Sequence, residues 1–256
     1  MIERRRKSLT IREYWFDEPW TAQGADVILF YHWSNAVDRE ACADVYSLEI
    51  DLSLADAEVL RRFTASTRNQ INRGAREGLK FSTWERPSAE TLGEFLAFYQ
   101  QFSAGRGLGL LAPDWMGEYS AQDALLLTRA TTPDDRTLVW HSYYRDREWA
   151  RQFHSVSFFA DTPDREARNQ VGRANRYLHW MDMLECRRLG IEHFDFGGWY
   201  HGNSDEKLLR VNSFKEEFGG EKTHRYHSMV ATSAKGELFL RVRKHLPNRS
   251  ALLHVV

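Results

Sequence analysis

The chain contains two cysteines in 256 residues, Cys42 and Cys186, and no Cys-x-x-Cys or Cys/His cluster. The lack of ligand-spaced cysteines argues against a structural zinc site, and two isolated thiols fit a reducing compartment. No apolar run approaches the length of a membrane-spanning helix. The basic start, Met1 to Lys7, is not followed by an apolar stretch and so does not read as a signal peptide. The expected location is cytoplasmic. The arm reads as solvated, with peripheral contact to an anionic membrane as the other use of such a cluster. An excess of charge is also missing. The net charge is −1, so bulk electrostatics give no reason to expect a DNA binder. No repeat, low-complexity segment or linker is evident, and one mixed domain over 1–256 is the economical reading. It comprises a partial N-terminal half (1–120), a core half (121–242) and a tail (243–256).

What remains is an ordinary globular composition, with 42% hydrophobic, 28% charged and 13% aromatic residues. Apolar periodicity orders the chain as alternating strands and helices, an α/β (α+β mixed) pattern. Strands are expected at 26–33, 45–52, 79–84, 124–131, 137–144, 149–159, 191–196, 223–232 and 237–242. Helices are expected from 54 to about 67 and on to Gly78, then at 88–103, 172–189 and 207–218, with a short helix or turn at 113–119. The loop 104–109 has a Gly-x-Gly-x-Gly pattern but does not lie between a strand and a helix, so a dinucleotide-binding reading is rejected.

The stretch from Arg168 to Gly198 stands out. A strand feeds a polar, glycine-containing turn, then an amphipathic helix, a second strand and a glycine pair. The start of such a helix favours an anion through free N–H groups and the helix dipole. Asn169, Val171, Gly172, Arg173, Ala174, Asn175 and Arg176 are therefore candidates to hold donor phosphates. Arg173 and Arg176 read either as phosphate partners or as exposed charges. A second basic ridge, Arg68, Arg73 and Arg76, reads either as a solvated face or as contacts to a substrate phosphate.

From about Leu125 to Thr232 the order of elements resembles the acyl-CoA N-acyltransferase (GNAT) fold, a mixed, mostly antiparallel sheet flanked by helices. Asn169-Gln-Val-Gly-Arg-Ala174 is similar to the turn that holds the pyrophosphate of coenzyme A in that fold. A closer resemblance is to its FemAB-like branch, the peptidoglycan bridge-forming aminoacyltransferases. Three stretches carry it: Thr67 to Ala75, Gly190 to Gly198 with its Asp195-Phe-Gly-Gly end, and Phe214-Lys215-Glu-Glu-Phe218-Gly-Gly220. The resemblance implies acyl or aminoacyl transfer to an amine of a sugar, nucleotide sugar or cell-envelope precursor. Acyl-CoA is the implied donor, with aminoacyl-tRNA as the alternative, and no metal is implied. It makes Lys215 a candidate for stabilising charge in the transition state; the residues alone read it as a snorkelling surface lysine on a helix face with Phe214 and Phe218.

Transfer to an amine requires a neutral amine, a polarised carbonyl and donors for the oxyanion. The absence of a Gly-x-Ser-x-Gly elbow and of a Cys/His signature favours direct transfer. His154, with Ser155 and Ser157 beside it, precedes the turn and is a candidate to accept a proton; a structural histidine is the other reading. Asp195 can orient an amine or cap the following loop. Gly197 and Gly198 admit close approach of a ligand, and Trp199, Tyr200 and His201 offer a flat surface for a sugar or nucleotide. The rival to an enzyme is a polysaccharide-binding module that uses this aromatic loop.

Overall fold

The computed structural model describes residues 1–256 apart from 39–41, 105, 107, 110, 112, 163 and 245–256. The expected tail thus lies almost entirely outside the described residues, as do two glycines of the 104–109 loop. In chain order the elements are β1 (Ile2–Arg6), β2 (Leu9–Trp15), β3 (Val27–Trp33), β4 (Cys42–Asp51), α1 (Asp56–Arg62), α2 (Ala65–Arg76), β5 (Lys80–Trp84), α3 (Ala89–Ser103) and α4 (Pro113–Ala121). They continue with β6 (Leu125–Thr131), β7 (Thr137–Arg145), β8 (Trp149–Ser157), α5 (Arg165–Arg188), β9 (His193–Gly198), α6 (Glu206–Glu216), β10 (Glu221–Ala231) and α7 (Ala234–Lys244). Among the described residues no helix is long and apolar enough to cross a membrane.

The chain divides into two compact units. The first unit takes Met1–Ser47, Gly198–His201 and Lys222–Val256; the second takes Leu48–Gly197 and Gly202–Glu221.

In the first unit the basic N-terminal residues are strand, not a solvated arm. β1 and β2 form an antiparallel hairpin with Ile2 opposite Glu13 and Arg4 opposite Ile11. Arg4 occupies an inward position and donates to Glu13 Oε1 at 2.9 Å, with both side chains buried. An arginine at an inward position breaks the apolar alternation by which a strand is read. β2 runs parallel to β3, and β3 pairs antiparallel with β10. Residues 237–242, expected as strand, belong to helix α7. Ser233 caps that helix, its hydroxyl accepting from Gly236 N at 3.2 Å.

The second unit contains the fold that positions the site. Its strands run in the order β9-β8-β7-β6-β5, and residues 48–51 of β4 lie beyond β9. The pairs β5–β6, β6–β7 and β7–β8 are antiparallel, and β8–β9 is parallel. Helix α5 covers one face. Its Val171, Ala174 and Leu178 pack with Leu79, Ala130, Leu138 and Val139. Helices α3 and α4 cover the other, with Phe95, Tyr99, Trp115 and Tyr119 against Trp140, Tyr144 and Phe153. The single helix expected after Leu54 is two. Phe63 and Thr64 are extended, and the Thr64 hydroxyl caps α2 by accepting from Thr67 N at 3.2 Å.

Two local features decide which side chains reach the site. First, β8 carries a bulge: Ser142 faces His154 but Tyr143 faces Gln152, leaving Phe153 as the extra residue. A bulge reverses the alternation of side chains downstream. Gln152 and Ser155 therefore share the α5 face, and His154 points to the opposite one. Second, β8 and β9 pair only from Trp149/His193 to Arg151/Asp195. Gly197, just past the last pair, has φ +72, and a Cβ there would lie 2.7 Å from the carbonyl oxygen of Gln152.

Candidate active site

Beyond the last β8–β9 pair, on the α5 side, lies a cavity of about 520 Å³. β8 contributes Gln152, Ser155 and Ser157, and β9 contributes Phe196. α5 supplies Val171, Gly172, Asn175, Arg176 and His179, and α6 closes the space with Arg210, Phe214 and Lys215. The walls are mostly apolar with a few convergent polar groups, the usual character of a small-molecule site.

A buried polar network backs this cavity. His141 on β7 and Asp182 on α5 are fully buried, with His141 Nδ1 2.7 Å from Asp182 Oδ2. The Tyr143 hydroxyl donates to the same carboxylate oxygen at 2.5 Å, and Gln152 Nε2 donates to that hydroxyl at 3.3 Å. On the other side of the ring, His141 Nε2 lies 3.0 Å from Ser155 Oγ and 2.8 Å from Asn175 Oδ1. Burial and the neighbouring carboxylate push the Tyr143 phenol well above its ordinary pKa, so it stays a donor. None of His141, Tyr143, His179 and Asp182 stands out in the sequence. The available signal is a polar stripe on α5, Asn175, His179 and Asp182, at i, i+4 and i+7 on a face that otherwise packs as core.

His179 packs near His141, with ring centroids 4.3 Å apart, and against Phe196 and Phe218. Burial, then the charges of its neighbours, holds its pKa well below the ordinary value, so it is neutral. Its Nδ1 has no hydrogen-bond partner among the described residues. His141, His179 and Asp182 bring three possible metal-ligand atoms within 4.8 Å of one another. The direct His141–Asp182 hydrogen bond engages two of the three groups with each other, as in a proton-handling pair.

Lys215 is 8% exposed, and its Nζ donates to the Gly197 carbonyl at 3.2 Å. Burial lowers its pKa to about 8, against a raising effect of Asp195. Asp195 is fully buried. Its Oδ1 accepts from Gly197 N at 2.6 Å, and its Oδ2 lies 3.6 Å from Arg151 Nε. It shapes the end of β9 and supplies negative charge near Lys215, while Lys215 itself reaches the cavity. The glycine pair after Phe218 serves packing: Gly219 has φ +69, and a Cβ there would collide with the Arg62 carbonyl oxygen.

The remaining candidates divide between the cavity and other parts of the fold. His154 does not line the cavity. The bulge turns it to the opposite face, where it sits among Phe95, Tyr99 and Trp115 with Nδ1 2.8 Å from Ser142 Oγ. Burial lowers its pKa to about 3, so it is neutral there. Ser155 and Ser157 do reach the cavity. The donor-phosphate turn expected at 169–176 is not a turn. α5 begins at Arg165, capped by Asp164, whose carboxylate accepts from Ala167 N at 2.6 Å. Residues Val171, Ala174 and Asn175 therefore lie in the helix interior, where backbone amides bond to carbonyls one turn back. Val171, Gly172, Asn175 and Arg176 still line the cavity, through side chains or the small glycine surface.

Arg173 is buried between Glu77 (2.9 Å) and Glu166 (2.8 Å), and Asn169 is exposed beside them. Arg176 grips Glu217 through two hydrogen bonds of 2.9 and 3.0 Å and lies over the Phe214 ring. The Arg68 guanidinium donates to the carbonyls of Arg61 and Phe63, sealing the α1–α2 junction. Arg73 pairs with Glu77 and Glu166. Gly198, Trp199, Tyr200 and His201 belong to the first unit. There His201 stacks on Tyr46 at 4.1 Å, and Lys222 sits over Trp199.

No protein-family profile and no curated protein matches the sequence. Solved structures do. The chain superposes on FemX with a TM-score of 0.61 at 11% identity, covering 86% of this chain and 75% of that one. It superposes on the C-terminal domain of a protein described as a putative lysylphosphatidylglycerol synthetase from Agrobacterium fabrum with a TM-score of 0.52 at 19% identity, covering 85% and 71%. A conserved protein of unknown function from Bacteroides thetaiotaomicron gives 0.52 at 11% identity, covering 80% and 69%. At these identities the likeness concerns the fold. Taken with the partly paired β8–β9 and the helix-covered mixed sheet, it shows that this chain has the fold seen in FemX.

Proposed function

We propose that the protein is a transferase that moves an acyl or aminoacyl group onto an amine in the cavity between β8, α5 and α6. The observation that carries this is Lys215, a buried ammonium that lines a mostly apolar cavity, facing the same space as Ser155 and Asn175. A cation in a water-poor site is worth far more to a developing oxyanion than one in solvent. At neutral pH the amine, with its pKa near 8, is largely charged and suited to that role.

The division of labour comes from the walls. Phe196, Val171 and Phe214 offer apolar surface to the acyl chain. Neutral His179 presents an imidazole that can hold the amine without competing charge. Arg210, and Arg176 beyond its Glu217 pair, supply positive charge for a donor phosphate, in place of helix amides. We assign the donor as acyl-CoA or aminoacyl-tRNA, and the acceptor as an amine on a sugar, nucleotide sugar or cell-envelope precursor. The FemAB-like sequence motifs and the FemX-like fold support this assignment.

The test is transfer itself. Purified protein is offered radiolabelled acyl-CoA or aminoacyl-tRNA with a panel of amino sugars and nucleotide amino sugars, and amide products are separated. Lys215→Met is expected to lower kcat by about 10²- to 10³-fold, the usual cost of an oxyanion partner. Wild-type rates in that variant would remove Lys215 from the chemistry. No product and no binding heat with either donor would remove the transferase reading.

A further inference from the structure

Asp182, His141 and Ser155 lie in the order and at the spacings of a charge-assisted nucleophile. Asp182 Oδ2 is 2.7 Å from His141 Nδ1, and His141 Nε2 is 3.0 Å from Ser155 Oγ. These fall within the reach of about 2.6–3.2 Å that links an orienting acid, a base and a nucleophile. The sequence hides the arrangement because the three residues come from β7, α5 and β8, and none sits on an elbow motif. The acid and base are fully buried, while Ser155 is exposed on the cavity wall. Tyr143, which donates to the same carboxylate oxygen, fixes that carboxylate. In the tautomer with Nδ1–H donating to Asp182, Nε2 faces the serine and is the nitrogen that can take its proton.

We propose that Ser155 is a covalent nucleophile, activated by His141 and Asp182, and that the protein passes its acyl group through a Ser155 ester. This rests on the cavity being an acyl-transfer site. Ser155 Oγ bonds to the donor carbonyl carbon as its proton moves to His141 Nε2. Asn175 Oδ1, 2.8 Å from Nε2, accepts from the imidazolium that forms. The oxyanion is balanced by the Lys215 ammonium in the same cavity. Collapse breaks the carbon–sulfur bond of a thioester donor, or the carbon–oxygen bond of an ester donor, and the leaving atom takes the proton from Nε2. A neutral amine then attacks the Ser155 ester. His141 accepts its proton and returns it to Ser155 Oγ as that oxygen leaves. The sum is donor plus amine giving amide plus free thiol or alcohol, with no outside oxidant or reductant.

The arrangement is tested with p-nitrophenyl acetate and a fluorophosphonate, which report a triad whatever the natural donor. The expected result is a burst of nitrophenolate equal to the enzyme concentration, with acetyl or phosphonyl mapped by peptide mass spectrometry to Ser155. Ser155→Ala, at an exposed position, abolishes the adduct while keeping the wild-type circular dichroism. Asp182→Asn, with the wild-type fold checked the same way, slows acetylation by about 10²-fold or more. An unlabelled Ser155 in the wild-type protein, or labelling unchanged in Ser155→Ala, overturns the proposal. Amide product without a Ser155 adduct leaves direct transfer standing and the nucleophile rejected. A Ser155 adduct without transfer to any amine keeps the triad and rejects the transferase.

Discussion

Lys215 Nζ rests 3.2 Å from the carbonyl oxygen of Gly197, a residue whose left-handed backbone turns β9 just beyond its last pair with β8. The amine is thereby held at the cavity wall by a main-chain acceptor that carries no formal charge. Asp195, two residues back along β9, raises its pKa only partly against the effect of burial.

The burial of Lys215 therefore lowers stability. Its pKa falls from 10.5 to about 8 on folding, so burial disfavours the charged form. Below pH 8 both states carry the proton and the full cost is present; between pH 8 and 10.5 the unfolded chain binds more protons, so stability rises with pH. The shift corresponds to about 3 kcal/mol. Lys215→Met is expected to stabilise the protein at pH 7 by about 1–3 kcal/mol, allowing for the lost hydrogen bond, and to slow transfer by about 10²- to 10³-fold. Urea unfolding measures the first and product formation the second; a destabilised variant contradicts the account. If the charged amine is the active form, the wild-type rate falls as pH rises through about 8.

His154, together with His179, contributes to the acid side of stability. Its folded pKa of about 3 lies below the ordinary 6.5 because its half-buried ring is desolvated among aromatic rings. The stability it permits is complete above pH 6.5 and is lost as pH falls towards 3, by up to about 5 kcal/mol. His154→Gln removes the group that must charge. The variant's urea midpoint between about pH 6.5 and 4 should fall less steeply than that of the wild type; parallel profiles would show that His154 is not the titrating group.

Gly197 admits no side chain. At φ +72 an alanine is strained, and its Cβ would meet the Gln152 carbonyl at 2.7 Å. Gly197→Ala is expected to cost about 1–3 kcal/mol. It also displaces the carbonyl that holds Lys215. Thermal unfolding and the pH dependence of transfer should change together, whereas a purely local cost would leave the pH profile in place.

Tyr143→Phe tests the buried network. It removes a 2.5 Å donor from Asp182 and an acceptor from Gln152, at an expected cost of about 1–3 kcal/mol for a buried carboxylate with one partner fewer. With the carboxylate less firmly held, acylation of Ser155 by p-nitrophenyl acetate should slow by about tenfold, and a kinetic trace unchanged from wild type would separate Tyr143 from the His141–Asp182 pair.

Much of the fold is legible in the chain. Apolar periodicity locates β6 to β9, α5 and α6 to within a few residues, apart from the start of α5, because each presents an apolar face to one core. It places the start of α5 about two turns late. Gly172 resembles a boundary, yet the polar residues 165–170 are helical because Asp164 caps them and their exposed face needs no apolar residue. α7 and the β1–β2 hairpin escape periodicity for related reasons: a capping serine and an inward arginine carry no apolar signal.

Sequence by itself determined the strand–helix order from β3 to β10, the Phe214-Lys215 and Asp195-Phe-Gly-Gly motifs and the fold class, since these depend on local periodicity and on residues close along the chain. Tertiary structure decided which side chains meet. One extra residue in β8, Phe153, turns His154 away from the cavity and brings Ser155 to His141, which strand β7 holds against Asp182 of α5. A bulge is set by the pairing of two strands and the packing on both faces of the sheet, and the sequence of either strand alone does not contain it.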